Sequence, residues 1–319
     1  MAIQSNPKSC TKSPMPTEAL RAQSRSQLAL VLIWFTPVLW SVNLISARLA
    51  PGVVSPHVLA LGRWFLAGLI LTWLARAELW RMRREVRAAW RQSVVLGACG
   101  MWICGAWVYL AGESTGAMNI SLIYASSPVM IAVGSVLWLG ERFSKRQRVG
   151  VLVAMLGVVH VVVRGDWSNL SQVNLVPGDL WVVAAAVAWA AYALLQKKWH
   201  SPLGSTARLA TICMGGVAVL LPFALFELAS PSTPVLGWHA LGLIVVTALV
   251  PGLAAYWIYG WTQKILGASR VAVTMYLGPL YSGLAAWWVL GEPLGLHHVI
   301  GGAFILSGVA MVMAIKRSA

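Results

Sequence analysis

Charged residues are scarce in this sequence. Of its 319 residues only 10% are Asp, Glu, Lys or Arg, against 59% that are apolar. A water-soluble globular protein of this length needs more polar residues to cover its surface, so the composition excludes that class and indicates a protein surrounded by a membrane. The alternation of apolar and polar residues that marks the strands of a membrane β-barrel is also missing, which leaves helices as the spanning elements.

Metal-binding and metallopeptidase motifs are absent as well. The four cysteines have no metal-ligand spacing, and the sequence contains no HExxH motif. His297 and His298 are adjacent, and neighbouring side chains on a helix point about 100° apart, which suits a shared metal poorly. We therefore expect no metal site and no cofactor.

Long apolar runs fill most of the chain. A helix needs about 20 apolar residues to cross the hydrocarbon core of a membrane, and ten runs come close to that length. They predict an all-α integral membrane protein with ten transmembrane helices. The predicted spans are residues 28–47, 57–75, 92–112, 115–139, 147–163, 179–196, 205–227, 239–262, 269–290 and 296–315.

The basic residues indicate how these spans are oriented. The chain has 24 Lys and Arg but only 9 Asp and Glu, a formal net charge of +15 that is also typical of nucleic-acid-binding proteins. Almost all of the basic residues fall in loops on one side of the predicted spans, whereas Arg48 and Arg164 fall on the other. This positive-inside pattern predicts cytoplasmic N- and C-termini in a bacterial inner membrane, with lipid and not nucleic acid around the protein.

The two halves of the chain repeat the same pattern. Aligning them places Pro128 on Pro279 and Gly100 on Pro251. Each half contains five predicted spans, an odd number, so the halves cross the membrane in opposite directions, as in many secondary transporters. We predict a disordered cytoplasmic tail (1–27), two inverted five-helix repeats (28–163 and 179–315), an external linker (164–178) and a cytoplasmic C-terminus (316–319).

Four segments carry a resemblance to a known family. They are "VLWSVNLISAR" (38–48), "SPHVLALGRWFLAGLIL" (55–71), "ASSPVMIAVGSVLWLGE" (125–141) and "YLGPLYSGLAAWWVLGE" (276–292). In this order they resemble both halves of the drug/metabolite transporter superfamily, specifically its ten-helix EamA-type members. The aromatic-rich first, third and sixth helices are similar to those of YddG-like amino-acid exporters. The resemblance implies a secondary transporter of amino acids or related metabolites.

Aromatic and polar side chains deep in the predicted spans are the candidates for substrate binding. A Trp or Tyr that faces lipid in mid-bilayer leaves its N–H or O–H without a partner, so such rings are expected to face the protein interior. Packing in the core is the alternative role for each of them. The candidates are Trp40, Asn43, Arg63, Trp102, Tyr109, Tyr124, Ser127, Trp189, Tyr192, Tyr256, Tyr276 and Tyr281.

Helix breakers at matched positions are the candidate hinges. Pro128 and Pro279 each remove a helical N–H and crowd the preceding turn, and Gly100 aligns with Pro251. We expect these positions to form a gate between the halves. The alternative is a fixed kink that serves packing alone.

Charge deep inside the predicted spans is limited to one basic residue. No Asp or Glu falls deep within a span, since Asp179 and Glu227 lie at span ends on the outer surface, so the embedded carboxylate that couples the export of a cation to a proton has no candidate. Arg63 either attracts a substrate carboxylate or binds backbone carbonyls near its helix end. His160 has the chemistry of a proton carrier, but it lies in a helix expected at the periphery, where a packing role is favoured.

Two classes of function fit such a protein. The first is a monomeric secondary transporter that exports neutral or aromatic amino acids and related small metabolites by alternating access, as facilitated diffusion or exchange. Nucleosides or lipophilic cations are the alternative cargo. The second class is a membrane-embedded hydrolase, for which Ser282 is the nearest nucleophile. Ser282 lacks the glycine two residues earlier that a Gly-x-Ser-Gly motif requires, so we predict that the protein is not an enzyme.

Overall fold

All regular secondary structure in the described part of the chain is helical. A computed structural model describes residues 17–114, 123–124, 126–163, 165–168, 176–231, 233–278, 280–281, 284, 288 and 295–313. Every regular element within these residues is a helix. This confirms the helical fold class and the absence of strands for the described residues.

Fifteen α-helices are interrupted by two π-helical segments and one 3₁₀ turn within the described residues. In chain order they are α1 (Thr17–Leu32), α2 (Phe35–Leu49), α3 (Pro56–Leu74), α4 (Arg76–Arg81), α5 (Arg83–Ala88), α6 (Trp90–Gly97), π1 (Ala98–Trp107), α7 (Val108–Ala111), α8 (Ser127–Leu139), α9 (Lys145–Val162), α10 (Pro177–Lys198), α11 (Ser205–Leu228), α12 (Trp238–Thr247), π2 (Ala248–Ala254), α13 (Ala255–Leu266), α14 (Ala268–Val273), the 3₁₀ turn Thr274–Leu277, and α15 (Leu296–Met313).

Six helical stretches among the described residues are long and apolar enough to cross a membrane. They are Gln23–Ala47, Pro56–Leu74, Trp90–Ala111, Pro177–Lys198, Ser205–Leu228 and Trp238–Leu266, with shorter apolar helices at Ser127–Leu139 and Leu296–Val312. Their number makes the chain a multi-pass membrane protein. The full count of ten spans and the orientation of the termini stay predictions.

The first span differs from its prediction in two ways. It begins earlier, because α1 starts at Thr17 and continues through residues 17–27, which we expected to be disordered. The Ala, Leu, Arg and Gln residues there are good helix formers that extend the apolar helix. The helix then breaks at Ile33 and Trp34, because Pro37 has no N–H to bond to the carbonyl of Ile33.

Two spans contain π-helical segments in their middle. A π-helix has one residue more per hydrogen-bonded turn than an α-helix, is rare, and occurs most often at functional sites. Segment π1 contains Gly100, and π2 contains Pro251. These are the two helix breakers that the sequence repeat aligns. Equivalent places in the two halves are therefore distorted in the same way.

Helices α9 and α15 pack against each other through glycines. A Cβ on Gly150 would lie 2.8 Å from the Gly308 carbonyl oxygen, and one on Gly157 would lie 2.7 Å from that of Gly301. Numbering rises along one helix as it falls along the other, so the pair is antiparallel. Small residues permit such close contact. The sequence repeat aligns Gly150 with Gly301 and Gly157 with Gly308. In the structure the pairs are exchanged: Gly150 contacts Gly308, and Gly157 contacts Gly301.

Helices α3 and α11 form a second antiparallel pair. Glu227, near the end of α11, accepts hydrogen bonds from the backbone N–H groups of His57 (2.9 Å) and Val58 (3.1 Å) at the start of α3. At the opposite end, Glu78 accepts one from the N–H of Gly204 (2.6 Å), just before α11. Each carboxylate satisfies N–H groups that a helix start leaves free, where negative charge is also favoured.

Candidate functional site

Six aromatic side chains meet at the centre of the protein. We call them the aromatic cluster: Trp40, Trp64, Trp189, Tyr192, Tyr256 and Tyr259. The Trp189 ring lies 5.3 Å from Tyr192, 5.5 Å from Tyr256 and 5.1 Å from Tyr259 between centroids. Such spacings are in the range of favourable ring contacts. Trp189 and Tyr256, which also contacts Trp40 and Trp64, are therefore the two rings that connect the cluster.

Trp40 and Trp189 join the two halves of the chain within this cluster. Their ring centroids are 5.2 Å apart, with the planes at 90° to each other. Trp40 lies on α2 and Trp189 on α10. The Trp189 indole N–H points to the sulfur of Met275 (2.8 Å), so its polar edge has a partner inside the protein.

Arg63 is buried beside the aromatic cluster. Its side chain is 2% exposed, and its guanidinium carbon lies 4.5 Å from the centroid of the Trp64 ring. Trp64 in turn contacts Tyr256 at 4.7 Å. A cation over an indole face is attracted by the negative centre of the ring. This contact holds the guanidinium against the edge of the cluster.

The hydrogen-bond partners of Arg63 are uncharged. One terminal nitrogen, Nη1, donates to Asn43 Oδ1 (2.7 Å) and to the hydroxyl of Tyr109 (3.2 Å), and that hydroxyl donates to the same Asn43 oxygen (2.6 Å). The Nε–H of Arg63 has no partner among the described residues. A buried cation is stable when it is paired with an opposite charge. Its positive charge is therefore not neutralised by a carboxylate among the described residues.

The two π-helical segments shape the walls around these side chains. A Cβ on Gly100 of π1 would lie 2.7 Å from the Tyr192 ring, and one on Gly252 of π2 would lie 3.3 Å from Arg63 Nε. The Gly100 carbonyl also accepts a hydrogen bond from the Tyr256 hydroxyl (2.8 Å). The bare backbone at Gly100 leaves room for the Tyr192 ring, whereas Gly252 is required chiefly because a Cβ there would lie 2.8 Å from the Thr247 carbonyl oxygen.

Several predicted substrate-binding residues come together here. Trp40, Asn43, Arg63, Tyr109, Trp189, Tyr192 and Tyr256 all belong to the aromatic cluster or to the Arg63 network. Two further cluster members, Trp64 and Tyr259, were missed by sequence reasoning. Both could have been found: Trp64 directly follows Arg63, and Tyr259 lies three residues after Tyr256, on the same helix face.

Other predicted residues lie elsewhere. Trp102 stacks on Phe223 (4.6 Å) and contacts Trp107 (5.3 Å), so it belongs to a separate row of rings along π1 and α11. Tyr124, unlike Trp102, borders the Arg63 network: it packs beside Ala111 and Val182, and its hydroxyl bonds Cys104 and lies close enough to Arg63 and Tyr109 to interact with them electrostatically. The position of Trp102 differs from our expectation because an almost wholly apolar helix gives no polarity signal of which face turns inward.

The remaining candidates are buried or half-buried at the edge of the core. The Ser127 hydroxyl is buried and points to the carbonyl of Ala186 (3.3 Å). Tyr276 is fully buried, whereas Tyr281 packs partly against the core. None of the three makes a ring contact with the aromatic cluster among the described residues.

The candidate hinge residues lie in different kinds of helical structure. Gly100 and Pro251 lie in π1 and π2. Pro128 lies in the first turn of α8, which begins at Ser127, and not midway along a continuous helix as the sequence suggested. A proline there costs no hydrogen bond, because the first N–H groups of a helix have no partner in the helix. Pro279 and Ser282 lie outside the described residues.

Ionisable groups away from Arg63 form no catalytic or metal-binding cluster within the described residues. His160 contacts Trp167 with ring centroids 6.0 Å apart, in the linker region and away from the cluster. Asp179 caps the start of α10, where it accepts the N–H of Val176 (2.8 Å). No group of three His, Cys, Asp or Glu within the described residues could hold a metal. The central site therefore combines a buried cation with aromatic faces.

Curated relatives of this chain are transporters. An uncharacterized transporter of Archaeoglobus fulgidus is 26% identical over 288 residues, covering 89% of this chain and 96% of the relative. The uncharacterized transporter YyaM of Bacillus subtilis is 24% identical, covering 85% and 88%. The S-adenosylmethionine/S-adenosylhomocysteine transporter of Chlamydia muridarum is 22% identical, covering 89% and 91%.

Comparison with solved structures and family models extends this likeness. A protein crystal structure with 20% sequence identity superposes with a TM-score of 0.71, over 91% of this chain and 96% of that one, so the two share a fold. The model of the EamA-like transporter family matches residues 27–163 and again residues 176–314. These two matches cover most of the chain, and the protein therefore belongs to the EamA-like transporter family, within the drug/metabolite transporter superfamily.

Proposed function

We propose that this transporter exports neutral or aromatic amino acids and related small metabolites across a bacterial inner membrane. It works by alternating access, as a monomer of ten spans arranged in two inverted repeats, with both termini in the cytoplasm. The cargo moves by facilitated diffusion or exchange. The YddG-like amino-acid exporters are the nearest functional analogy.

This proposal rests on one observation: the hydrogen-bond partners of Arg63 are uncharged. Its guanidinium donates hydrogen bonds to Asn43 and Tyr109 and to no carboxylate among the described residues. A guanidinium binds a carboxylate through two parallel charge-assisted hydrogen bonds. The rings of Trp64 and Tyr256 lie directly beside it. An amino acid offers a carboxylate for Arg63 and an apolar or aromatic side chain for the rings.

The contact between Trp40 and Trp189 supports alternating access. These rings come from corresponding helices of the two halves and close the centre of the molecule. Rocking of one half against the other opens this contact on one side of the cargo and re-forms contacts on the other side. Gly100 and Pro251 in the π-segments, with Pro128 and Pro279, are the proposed hinges.

The proposal that transport is not coupled to protons follows from the placement of the carboxylates relative to the membrane. Proton-coupled export of a cation needs a carboxylate inside the membrane that proton and cation compete for. The carboxylates of Asp179 and Glu227 lie at the ends of their helices, where they bind backbone N–H groups. Transport therefore needs no proton gradient.

A second candidate cargo is suggested by one relative. S-Adenosylmethionine combines an amino-acid group with an adenine ring, and the Chlamydia muridarum relative is named as its transporter. Arg63 would bind its carboxylate and the aromatic cluster would stack on the adenine. We rank it second because this cargo is much larger than an amino acid.

Counterflow in proteoliposomes tests the proposal. Vesicles loaded with unlabelled L-phenylalanine should accumulate the labelled amino acid without an imposed gradient, and an uncoupler should not stop this. Arg63→Gln should weaken amino-acid binding about 10- to 100-fold, as expected for the loss of charge-assisted bonds. Phenethylamine, which lacks the carboxylate, should bind both proteins equally.

Arg76→Gln is the matched control, because Arg76 is exposed and bonds only its neighbour Trp73 within the described residues. It should leave counterflow unchanged. Absence of counterflow for every amino acid, with S-adenosylmethionine carried instead, would favour the second candidate. Uptake that needs a pH gradient would contradict the coupling proposal.

A further inference from the structure

A short arginine-rich segment connects two of the spans. The stretches Pro56–Leu74 and Trp90–Ala111 are both long and apolar enough to cross a membrane. Helices α4 and α5 lie between them, and no residue of either helix is buried. A segment that joins the ends of two spans lies at the membrane surface, at the level of the lipid head groups. We call residues 80–91 the arginine surface.

One face of this segment is packed onto the protein. Three half-buried apolar side chains contact a small buried cluster that includes Ala207 of α11: Leu79, Met82 and Val86. Their spacing of three and four residues places them on one side of a helix. The N–H of Val86 donates to the Met82 carbonyl (3.0 Å), so helical hydrogen bonding continues from α4 into α5. The segment is therefore held in a fixed position, with its arginines outside the packed face.

The charge of the arginine surface comes from arginine alone. Residues 80–91 contain one glutamate, no lysine and five arginines: Arg81, Arg83, Arg84, Arg87 and Arg91. All five are exposed, and none pairs with a carboxylate among the described residues. A guanidinium binds phosphate through two parallel hydrogen bonds, whereas lysine acts as a point charge. Orientation of the spans needs only positive charge, so the use of arginine at every basic position favours a partner with phosphate groups.

Two of these arginines lie over exposed indole rings. The guanidinium carbon of Arg83 is 5.2 Å from the centroid of the Trp80 ring, and that of Arg91 is 5.5 Å from the centroid of the Trp90 ring. The two rings are 73% and 55% exposed. Indole rings favour the boundary between head groups and hydrocarbon. Each ring therefore holds a guanidinium at the depth where lipid phosphates lie.

Three arginines form a row on one side of the segment. Arg83, Arg87 and Arg91 follow at intervals of four residues, which places them on one helix face about 6 Å apart along its axis. The N–H of Ala89 donates to the Glu85 carbonyl (2.9 Å), so the helical path continues between them. A row of this kind suits several phosphates on neighbouring lipids better than one small anion.

We propose that the arginine surface binds anionic phospholipids in the leaflet where α3 ends and α6 begins. Arg83, Arg87 and Arg91 bind the lipid phosphates, and the rings of Trp80 and Trp90 enter the boundary with the hydrocarbon. Because the opposite side of the segment packs against α11, the bound lipids hold the cytoplasm-facing or external ends of three spans together. Lipid binding at this surface is independent of the cargo that the transporter carries.

A second basic segment provides a matched control. Arg142, Arg146 and Arg148 are exposed and lie close together in the chain. None of them lies over an indole ring among the described residues. If positive charge alone were sufficient, both segments would bind anionic lipid equally. Lipid binding that depends on arginines fixed beside indole rings is expected only at the arginine surface.

Thermal unfolding of the full-length protein in uncharged detergent tests the proposal. Dioleoylphosphatidylglycerol should raise the melting temperature, whereas dioleoylphosphatidylcholine or inorganic phosphate at the same concentration should not. Arg83→Gln, Arg87→Gln and Arg91→Gln together should weaken phosphatidylglycerol binding about 100-fold, from about fivefold for each basic residue at a membrane surface. The control variant Arg142→Gln, Arg146→Gln and Arg148→Gln should keep most of the wild-type affinity.

A lysine variant separates charge from geometry, and it serves also if the glutamine variant does not fold. Arg83→Lys, Arg87→Lys and Arg91→Lys together preserve the charge that orients the spans but remove the planar fork, so binding should weaken several-fold. Undiminished affinity in the lysine variant would overturn the proposal. So would equal stabilisation of the wild type by the two lipids, or an equal loss of affinity in the control variant. Equal stabilisation by inorganic phosphate would reject a lipid partner.

Discussion

Trp40 and Trp189 meet edge to face, with ring centroids 5.2 Å apart, although 149 residues separate them in the chain. Trp40 aligns with Trp189 at an offset of 149 residues, close to the offset of 151 that aligns Pro128 with Pro279. Residues in equivalent places of the repeat therefore touch each other at the centre, which is expected where two related units pack around a shared axis. This contact is the part of the structure that an alternating-access cycle must break.

The Trp40 and Trp189 contact should be measurable as a coupling energy. Trp40→Leu and Trp189→Leu should each lower the unfolding free energy in mixed micelles, and the double variant should lose less than the sum. Aromatic pairs contribute about 0.5–1.5 kcal/mol beyond the area they bury. Trp80, which is 73% exposed, is the control: Trp80→Leu should combine additively with Trp40→Leu. Additivity of the two central changes would contradict the contact.

Gly97 should be intolerant of any side chain. A Cβ there would lie 2.2 Å from the backbone nitrogen of Gly216, and backbone cannot move aside as a side chain does. Gly97→Ala should lower the unfolding free energy by about 1–3 kcal/mol. Gly242 has nothing within 4 Å of its Cβ position, so Gly242→Ala should leave stability unchanged or raise it by up to about 1 kcal/mol. Equal effects would mean that α6 and α11 are not in close contact.

Glu227 and Glu78 should stabilise the pair of helices α3 and α11 from opposite ends. Glu227→Gln removes the negative charge that binds the N–H groups of His57 and Val58, and should cost about 0.5–2 kcal/mol of unfolding free energy. Glu78→Gln should show a similar loss. Glu85→Gln is the control, because Glu85 is exposed on the short helix α5. An equally large loss of unfolding free energy for Glu85→Gln would show that the change in net charge, and not the loss of these hydrogen bonds, is the cause.

Gly100 should tolerate alanine only when Tyr192 is made smaller. A Cβ on Gly100 would lie 2.7 Å from the Tyr192 ring, so Gly100→Ala should lower both the melting temperature and the counterflow rate. The Tyr192 ring is rigid and cannot fold away from an added methyl group. Tyr192→Leu removes the ring atoms that clash. The double variant should therefore regain most of the melting temperature lost by Gly100→Ala. No recovery would show that π1 is disturbed for another reason.

Membrane embedding and the family were predictable from the sequence. Apolar runs report directly how a segment partitions between water and lipid, so their number and length indicated a multi-pass helical protein. The motifs of the two halves identified EamA-type transporters, which the family match confirms. Arg63 stood out for the same reason, because a basic residue in an apolar run is costly unless it has a function.

The composition of the site was only partly predictable. Hydrophobic periodicity tells which face of a helix avoids water, but a helix that is apolar all round has no such face. For this reason Trp102 and Trp189 looked equivalent in sequence, yet only Trp189 contacts the aromatic cluster. The π-helical segments were equally hidden, because Gly100 and Pro251 indicate that a helix is disturbed without indicating how.

The sequence by itself determined that the chain crosses a membrane repeatedly, that it consists of two related halves, and that Arg63 is the basic residue deep within its spans. Only the tertiary structure decided which rings surround Arg63 and that its partners Asn43 and Tyr109 are uncharged. The physical reason is that partition into lipid depends on local composition, whereas a binding site depends on which helix faces pack together.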